Sequence, residues 1–542
     1  MHAEIRALSS LEKLFIDETP SAPAPKPQGF QNEIIHWQLA MILRQAERSR
    51  YVRVEVAPEY AGYVTVSQVR HVPVHFPVYE DADDNYLRKT PGLYPDLLSP
   101  LAPHSLRIYA SRWTSLWISL NPKDELAPGE HRVNIRLFTE DGEALGEYTQ
   151  TVDILPGQLP PQELIHTKWF HADCLAEYYH VGMLSEEHWR IIENQVRCAV
   201  EGGVNMILMP IHTLPLDTRE GGERPTLQLV KITVENGEYH FDMTLVRRWI
   251  AMCRRAGVKY YEMAHLFTQW GAKHAPKIVA TVDGVERRIF GWDTDAAGEE
   301  YGAFLRAYVP ALRKLFREEG IEEQVWWHLS DEPSKEHLPN YLAAKRQVEE
   351  VLRGAKVMDA LSDFDFYQQG AVACPVVASN HMQPFLDAKV PGLWMYYCCG
   401  QYKDVSNTFI AMPSARCRVL GAQLFRYRIA GFLQWGFNFY NAQYSDYPID
   451  PYAVTDGDGF VPSGDPFQVY PGREGQPERS IRYLLFLEAM QDLRALNWLA
   501  SLIGREKTDA LLGDMTLSEY PKSAEELLSL RAEVNRLILA AQ

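Results

Sequence analysis

The sequence predicts a multidomain fold: an N-terminal β-sandwich, then a (β/α)8 barrel of the TIM type, then a helical C-terminal tail. Segments before residue 160 alternate polar and apolar residues, as strands do, and strand patterns after it alternate with helix patterns. The chain has 542 residues and a hydrophobic fraction of 46%. It is therefore long enough for a large barrel with an accessory domain and a sizeable core.

The first part of the chain carries the strand patterns. Residues 1–29 are predicted to be an N-terminal segment that ends in a Pro-rich linker, "TPSAPAPKPQG". A β-sandwich accessory domain is expected over residues 30–160. "YVRVEVAP" and "YVTVSQV" alternate at period two, and "HRVNIRLFTEDGEALGEYTQTVDI" predicts two strands around an Asp-Gly turn. "LPGQLPP" then indicates a linker, and we expect the sandwich to pack on the domain that follows.

Eight strand patterns, most of them separated by helix patterns, predict a (β/α)8 barrel over residues 161–505. In chain order the strand candidates are "ELIHTKWFHAD", "NMILMPI", "KYYEMAHL", "QVWWHLSD", "KVMDAL", "PVVASN", "GLWMYYCC" and "FLQWGFNFY". Two polar hairpins, around "VENGEYHF" and "TVDGVERRIF", are expected to be insertions. Residues 506–542 are predicted to form an amphipathic helical tail.

The composition disfavours several kinds of partner. The formal net charge of −17 argues against nucleic acid, because such binding depends on counterion release by Lys and Arg. The sequence shows no signal-peptide pattern and no apolar stretch of membrane-spanning length, so no membrane partner is expected. The seven cysteines are odd in number and lack a CxxC pair, which predicts reduced thiols, a cytoplasmic location and no zinc site. No cofactor is predicted.

Polar and aromatic residues collect where the predicted barrel strands end. Active sites of such barrels lie at the carboxyl ends of the strands. The candidate ligands are His171, Asp173, Asn205, His212, His265, Trp270, Asp331, Glu332, Trp394, Tyr396, Tyr397, Trp435, Asn438 and Tyr440. Aromatic rings stack on flat sugar faces and polar groups bind hydroxyls, so this mixture predicts a pyranose site. The histidines and tryptophans could equally serve packing, and the wide spacing of the histidines argues against a metal site.

Two adjacent carboxylates, Asp331 and Glu332, end the strand in "VWWHLSDEPSKEHLPNY". One interpretation is that Asp331 caps the following helix. The other is catalytic: adjacent acids are too constrained to flank a scissile bond, but they suit a mechanism in which the sugar's own 2-acetamido oxygen is the nucleophile. Pro333 biases Glu332 towards extended geometry at the strand end. Proximity would also raise the pKa of one acid, as a general acid requires.

Several stretches that span most of residues 30–500 occur in the order of one known family. They are "YPDLLSPL", "WTSLWISL" and "APGEH", then "WFHADCLA", "YEMAHLFTQWGAKHAPKI", "WWHLSDEP", "LWMYYCCG" and "LQWGFNFYN", and last "FQVYPGREGQPERSIR". Together they resemble glycoside hydrolase family 123, the β-N-acetylgalactosaminidases. The resemblance implies a β-sandwich followed by a catalytic (β/α)8 barrel. It also implies that Asp331 orients the acetamido group, that Glu332 is the general acid/base and that Tyr396, or the adjacent Tyr397, hydrogen-bonds the acetamido oxygen.

The resemblance therefore predicts a retaining hydrolase that cleaves terminal β-linked N-acetylgalactosamine through an oxazolinium intermediate. Two alternatives remain at this stage: a hydrolase for another 2-acetamido sugar such as β-GlcNAc, and a non-catalytic carbohydrate-binding protein on the same fold. In each case the expected partner is an oligosaccharide or glycoside. The sandwich could also support a homo-oligomer.

Overall fold

The structure is a computed structural model that describes residues 2–20 and 25–542. Strands dominate the described residues before residue 160, and several of them alternate buried and exposed side chains. In β9, for example, Val133, Ile135 and Leu137 are buried while the residues between them are more exposed. The strands are β1 (His2–Ser9), β2 (Gln28–Phe30), β3 (Ile35–Arg44), β4 (Arg50–Val56), β5 (Val64–Val74), β6 (Gly92–Pro100), β7 (Arg107–Ile108), β8 (Thr114–Leu120), β9 (Gly129–Thr139) and β10 (Ala144–Leu155).

The following part of the chain alternates strands and helices. Its strands are β11 (Ile165–Lys168), β12 (Met206–Met209), β13 (Lys231–Glu235), β14 (Glu238–Asp242), β15 (Tyr260–Met263), β16 (Ile278–Val282), β17 (Val285–Phe290), β18 (Val325–Trp327), β19 (Lys356–Ala360), β20 (Cys374–Ala378), β21 (Trp394–Tyr397), β22 (Gly431–Gln434), β23 (Val469–Pro471) and β24 (Pro477–Ser480). Its helices are α1 (Ala172–Tyr179), α2 (Glu186–Glu201), α3 (Thr244–Ala256), α4 (Glu299–Glu318), α5 (Leu338–Val348), α6 (Phe364–Gln368), α7 (Gln383–Asp387), α8 (Ser414–Arg418), α9 (Leu420–Arg426), α10 (Ile481–Ile503), α11 (Arg505–Leu511) and α12 (Ala524–Ala541).

A closed barrel forms the centre of the molecule. Its strands are all parallel and follow the order β11, β12, β15, β18, β19, β20, β21, β22, with β22 pairing back to β11. All four residues of β12 are buried, as expected for a parallel strand covered on both faces. Each barrel strand overlaps one of the eight predicted strand segments, and only β20 and β22 begin one residue before theirs. The prediction of a closed, eight-stranded parallel barrel is therefore confirmed.

Three further sheets accompany the barrel. The smallest, of order β14-β13-β16-β17, is formed by the two hairpins that were predicted as insertions, and the other two contain the N-terminal strands. One has the order β1-β3-β8-β5-β6-β24-β23, and the other has the order β2-β10-β9-β4-β7. Leu39 and Leu116 from the first sheet share an apolar cluster with Val133 and Val152 from the second. The predicted hairpin around the Asp-Gly turn is present as β9 and β10. The prediction of a sheet-rich N-terminal region is confirmed, and α11 and α12 agree with the predicted helical tail.

Strands from outside the predicted range 30–160 join the first of these sheets at two places. β1 lies in the segment 1–29, outside the predicted sheet domain, yet it pairs with β3 along its full length. β23 and β24 lie within the predicted barrel range 161–505 but extend the same sheet beside β6. In both places the strand saturates backbone groups of a neighbour that would otherwise form a sheet edge. The predicted Pro-rich linker falls partly on residues 21–24, which lie outside the described residues.

Two buried ion pairs join the sheets to the barrel region. Arg482 at the start of α10 binds Asp96 of β6 through Nε and Nη2, at 2.9 and 3.0 Å, and both side chains are fully buried. Asp83, in the loop between β5 and β6, accepts from Arg416 of α8 at 2.9 and 2.8 Å. The second pair brings a loop of the N-terminal region to the end of the barrel where the strands finish. The N-terminal region therefore packs on the barrel, as expected.

Candidate active site

A cleft opens at the carboxyl ends of the barrel strands. Six residues predicted from the sequence line it: His171, Trp270, Asp331, Glu332, Tyr396 and Trp435. The other lining residues are Trp169, Leu216, Asp217, Gln269, Ala360, Cys398, Cys399, Leu433, Phe460 and Val461. The cleft therefore combines two adjacent carboxylates with aromatic rings and amide and hydroxyl groups, which is the composition expected of a sugar site.

A left-handed backbone conformation lets both acids face the same cleft. Neighbouring residues of a strand point to opposite faces, but Glu332 has a φ of +43°, so the chain turns sharply after Asp331. This differs from the extended geometry that Pro333 predicted. The turn is held by a hydrogen bond of 2.9 Å from the Glu332 N–H to the carbonyl of Ala360 at the end of β19. A positive φ is strained for a residue with a side chain, and such strain is concentrated at functional sites.

Asp331 does not cap the following helical turn. That turn, Lys335–His337, is capped by Ser334, whose side chain and backbone N–H both contact His337. The Asp331 carboxylate instead accepts a hydrogen bond of 2.7 Å from Gln269 Nε2 through Oδ2. Its Oδ1 is buried and has no hydrogen-bond partner among the described residues. Burial, followed by the adjacent Glu332 charge, raises the pKa of Asp331 well above its usual value.

Glu332 is held by the hydroxyl of Tyr396, which donates a hydrogen bond of 2.7 Å to Oε1. Burial raises the pKa of Glu332, and the hydrogen bond from Tyr396 opposes that rise. Strand register explains why Tyr396 and not Tyr397 reaches the cleft. Tyr397 points to the other side of β21 and packs against Phe432 with ring centroids 4.9 Å apart. Tyr397 therefore contributes nothing to the cleft surface.

His171 lines the cleft but has both ring nitrogens engaged. Arg224 Nη2 lies 3.2 Å from Nδ1, and Nε2 lies 3.1 Å from the carbonyl of Trp435. Burial, together with the nearby Arg224 charge, lowers the pKa of His171 to about 3, so the ring is neutral. Asp173 lies behind it in a buried ion pair with Arg224 at 2.8 Å and does not line the cleft. The pair therefore fixes the orientation of His171.

Five of the predicted ligands belong to the packing around the barrel rather than to the cleft. Asn205 precedes β12 at the opposite end of the barrel, where it accepts from the His166 N–H and donates to the Leu164 carbonyl. Trp394 begins β21 and packs against Trp326 at 5.1 Å. The prediction that Asn205 and Trp394 bind substrate is wrong, because a residue that starts a strand lies a full strand length from the cleft. The remaining three are His212, Asn438 and Tyr440.

Each of these three makes a buried hydrogen bond away from the cleft. His212 Nε2 lies 2.9 Å from the His265 carbonyl, and burial lowers the pKa of His212 to about 4. Asn438 Oδ1 accepts from the His171 N–H at 2.8 Å, and the Tyr440 hydroxyl donates to the Val469 carbonyl at 2.9 Å. Asn438 therefore positions His171 without lining the cleft.

A buried charge network beneath the cleft was not predicted from the sequence. His328 lies between two carboxylates, with Nε2 at 2.6 Å from Glu262 and Nδ1 at 3.3 Å from Asp359. Burial opposes the charged imidazole, but the hydrogen bonds to both acids raise the pKa of His328 to about 9. His265 stacks on this ring with centroids 4.2 Å apart and does not line the cleft. Glu262 also accepts from Trp169 Nε1 at 2.7 Å and so fixes a ring that lines the cleft.

Acidic residues and amides from loops complete the site. Asp217 lines the cleft, and burial raises its pKa to about 6. Gln269 contacts both Asp217 and Asp331. Its side-chain Nε2 donates to the Asp331 carboxylate, and its side-chain Oε1 accepts from the Asp217 backbone N–H. Asp465 accepts from Trp435 Nε1 at 2.9 Å, and burial raises its pKa to about 7. Glu262, His328 and Asp359 of the buried network lie inside the predicted strands "KYYEMAHL", "QVWWHLSD" and "KVMDAL". Asp217, Gln269 and Asp465 lie in loops without periodicity, and no sequence signal marked them.

The described part of the chain was searched for clusters of metal-ligating side chains. Among residues 2–20 and 25–542, no group of three or more His, Cys, Asp or Glu side chains is arranged to hold a metal ion. Within the same residues, no helix combines the length and apolarity needed to cross a membrane.

Comparison with known protein families identifies the family of this chain. A family model described as "Glycoside hydrolase 123, catalytic domain" matches residues 169–499, which is more than half of the chain. The chain belongs to glycoside hydrolase family 123. The matched range contains the whole cleft lining, including Asp331, Glu332 and Tyr396. The resemblance seen in the sequence is therefore confirmed at the level of the family.

The overall fold agrees with that of a family 123 glycoside hydrolase from Clostridium perfringens, a protein analysed for glycolipid glycan hydrolysis. The TM-score is 0.75 at 14% identity, and the alignment covers 99% of this chain and 98% of that chain. At this identity the likeness extends to the fold alone. A β-glucuronidase from Parabacteroides merdae aligns with a TM-score of 0.32 at 10% identity, and one from Bacteroides uniformis with a TM-score of 0.28 at 13% identity. Each alignment covers 90% of this chain and 51% of the other chain. These TM-scores are too low to support an argument about this protein. A search of curated proteins finds no match.

Proposed function

We propose that this family 123 protein is a retaining glycosidase that cleaves terminal β-linked N-acetylgalactosamine by substrate-assisted catalysis. One observation carries the proposal: Asp331 and Glu332 are adjacent in sequence, face the same cleft, and have different hydrogen-bond partners. Two acids this close cannot flank a scissile bond from opposite sides, as two-carboxylate glycosidases require. The architecture that accompanies this proposal is a β-sandwich packed on a (β/α)8 barrel of the TIM type.

The free oxygen of Asp331 suits a donor on the substrate. Its Oδ1 is buried without a partner among the described residues, and an acetamido N–H would supply one. That hydrogen bond would favour the negative charge on Asp331 over Glu332. Because the two acids repel each other when both are ionised, a single proton bound by the pair would then reside on Glu332. Substrate binding would therefore set Glu332 as the acid and Asp331 as the anion.

The reaction proceeds in two steps. In the first, the acetamido oxygen attacks C1, the bond from C1 to the leaving oxygen breaks, and Glu332 protonates that oxygen. Asp331 stabilises the positive charge on the resulting oxazolinium ring. In the second step Glu332 removes a proton from water, which attacks C1 and opens the ring with net retention of configuration. The rings of Trp169 and Trp435, each held by a carboxylate, supply apolar walls for the sugar.

The first test is the hydrolysis of three aryl glycosides that share one aglycone: β-GalNAc, β-GlcNAc and β-galactose. We expect release from β-GalNAc and almost none from β-galactose, because the galactoside lacks the acetamido nucleophile. Proton NMR at early times should show β-GalNAc as the first product. Preference for β-GlcNAc would move the assignment to another 2-acetamido sugar. Comparable turnover of the galactoside, or an α product, would contradict the substrate-assisted mechanism.

Tyr396→Phe is expected to move the alkaline limb of the kcat/KM profile to higher pH. The hydroxyl stabilises the ionised form of Glu332, so its removal raises the pKa of that acid further. A hydrogen bond to a charged group is worth about 1.5–3 kcal/mol, which predicts a shift of about 1–2 pH units. Activity that requires protonated Glu332 would therefore persist to higher pH in the variant.

The matched control for this measurement is Tyr397→Phe. Its hydroxyl lies on the opposite side of the same strand and should leave the pH profile of the enzyme unchanged. Equal shifts in both variants, or a limb that moves to lower pH in Tyr396→Phe, would show that Tyr396 does not act through Glu332.

A further inference from the structure

Two adjacent cysteines, Cys398 and Cys399, line the cleft together with Glu332 and Tyr396. They follow directly on β21, and both side chains are partly exposed. Neighbouring residues of a strand point to opposite faces, so two neighbours reach one cleft only where the strand has ended. The proposed reaction uses neither thiol. The pair is therefore a chemical group of the cleft that the reaction leaves without a role.

A tight turn fixes the first of these thiols. The Gln401 N–H donates to the Cys398 carbonyl at 3.1 Å and closes a turn of four residues. The Gln401 side chain returns to the same residue, because its Oε1 accepts from the Cys398 N–H at 2.9 Å and from the Cys398 thiol at 3.3 Å. Asn407 Nδ2 donates to the Cys398 carbonyl at 2.8 Å. The thiol is therefore held in place before any ligand arrives.

The two thiols also act on each other. The Cys399 thiol, which lies within hydrogen-bonding reach, is the main cause that raises the pKa of the Cys398 thiol well above its usual value, and burial adds to the rise. The thiolate is the form that attacks oxidants and alkylating agents, so a thiol with a high pKa reacts slowly with them. Two neutral thiols can still condense with one electrophilic atom that accepts both sulfurs.

The geometry favours a single bridging atom over a disulfide or a zinc ion. Consecutive Cα atoms lie about 3.8 Å apart, whereas disulfides usually join Cα atoms about 4.4–6.8 Å apart, so a disulfide between neighbours is strained. Zinc normally takes four ligands, and among residues 2–20 and 25–542 no group of three or more His, Cys, Asp or Glu side chains is arranged to hold a metal ion. A soft atom that needs only two sulfurs meets neither obstacle.

We propose that Cys398 and Cys399 form a binding site for trivalent arsenicals, and that the bound arsenical blocks the cleft. With arsenous acid, As(OH)3, two As–S bonds form, two As–O bonds break, and the two thiol protons leave with the hydroxyl groups as two molecules of water. Arsenic stays trivalent, so the step needs no oxidant or reductant. Because Glu332 and Tyr396 line the same cleft, the adduct excludes substrate from them.

The other cysteines offer no comparable pair. All seven lie in the described part of the chain, and no other two are adjacent in sequence. Cys374 is partly exposed but begins β20, so it lies at the end of the barrel away from the cleft. The remaining four are buried: Cys174, Cys198, Cys253 and Cys417. One arsenical per chain is therefore expected.

The test is the binding of phenylarsine oxide, which condenses with two thiols and releases one molecule of water. Nondenaturing mass spectrometry should find one phenylarsenic group per chain, and hydrolysis of an aryl β-GalNAc should fall in proportion to the occupied fraction. The dithiol 2,3-dimercaptopropanol should reverse both effects, whereas a monothiol at the same concentration should not. Cys398→Ser and Cys399→Ser should each raise the Kd about 10²-fold or more, as the loss of a second linked contact does.

Cys374→Ser is the matched control and should change neither the Kd nor the inhibition. X-ray absorption at the arsenic edge of the wild-type adduct needs no variant and should show two sulfur neighbours. One sulfur neighbour, or a Kd that rises less than about threefold in both single variants, would overturn the two-thiol site. Bound arsenical that leaves hydrolysis intact would overturn its place in the cleft. The inhibition rests on the proposed function: if wild type hydrolyses nothing, that function fails, while the mass and absorption measurements still decide the thiol site.

Discussion

Glu332→Gln is expected to lower kcat on a β-GalNAc substrate with a poor leaving group by about 10³-fold, within the usual range for general acid/base catalysis. Glutamine has the same shape and can still accept the hydrogen bond from Tyr396, but it cannot supply a proton. Ground-state contacts in the cleft remain, so the dissociation constant of the substrate should change little. Stopped-time assays for kcat and calorimetry for binding separate the two quantities.

Comparing substrates with poor and good leaving groups tests whether Glu332 acts as the acid. A 2,4-dinitrophenyl glycoside departs without protonation, so the first step should survive in Glu332→Gln and the deficit should shrink. Glu336→Gln is a matched control, since that side chain is exposed and lies only four residues along the chain. Because Glu332 also activates water in the second step, the quantity to compare is kcat/KM, which reports the first step. An equal loss of kcat/KM with both leaving groups, or in both variants, would show that Glu332 is not the acid. Binding of the sugar without turnover, in wild type and in Glu332→Gln alike, would favour the binding-protein alternative.

Arg482→Met is expected to lower the free energy of unfolding by about 3–5 kcal/mol, because it leaves the carboxylate of Asp96 buried without its cation. Arg482 also donates to the carbonyls of Gly464 and Phe467, and Tyr470 donates to Asp96 at 2.7 Å. The substitution therefore leaves several buried hydrogen-bond acceptors without their donor, at the place where the sheets meet the barrel. Urea unfolding monitored by fluorescence and circular dichroism measures the change.

Two comparisons test the cause of this loss. Arg536→Met removes an exposed ion pair with Glu533 on α12 and should leave the unfolding midpoint nearly unchanged. Adding Asp96→Asn to Arg482→Met should restore part of the stability, since it removes the buried charge, and the effects of the two substitutions should not add. Additive effects, or equal losses in Arg482→Met and Arg536→Met, would contradict a coupled buried pair.

Local patterns in the sequence were enough to predict the barrel and its candidate acids. Most of the eight parallel strands are short apolar runs between helical patterns, and burial on both faces produces that signal. The position of Asp331 and Glu332 at the end of β18 followed from the same reasoning, because the run "VWW" stops just before them. These features depend on residues that are close together in the chain.

Details of strand register could not be predicted in the same way. The side chain of Tyr396 lines the cleft, whereas that of Tyr397 lies on the other side of β21. A shift of the strand register by one residue would exchange the two positions. Asn205 was counted as a strand end although it precedes β12, so it lies at the wrong end of the barrel. The left-handed φ of Glu332 is held by a bond to Ala360 of the next barrel strand, which no local pattern reports.

The sequence by itself determined the family, the barrel and the paired acids, because periodicity and motif order are properties of consecutive residues. Only the tertiary structure decided which strand-end residues share the cleft and which groups control their charge. The imidazole of His328 is held by Glu262 and Asp359, and each of the three comes from a different part of the chain. Burial and hydrogen bonding between distant segments set these pKa values, so they exist only once the chain has folded.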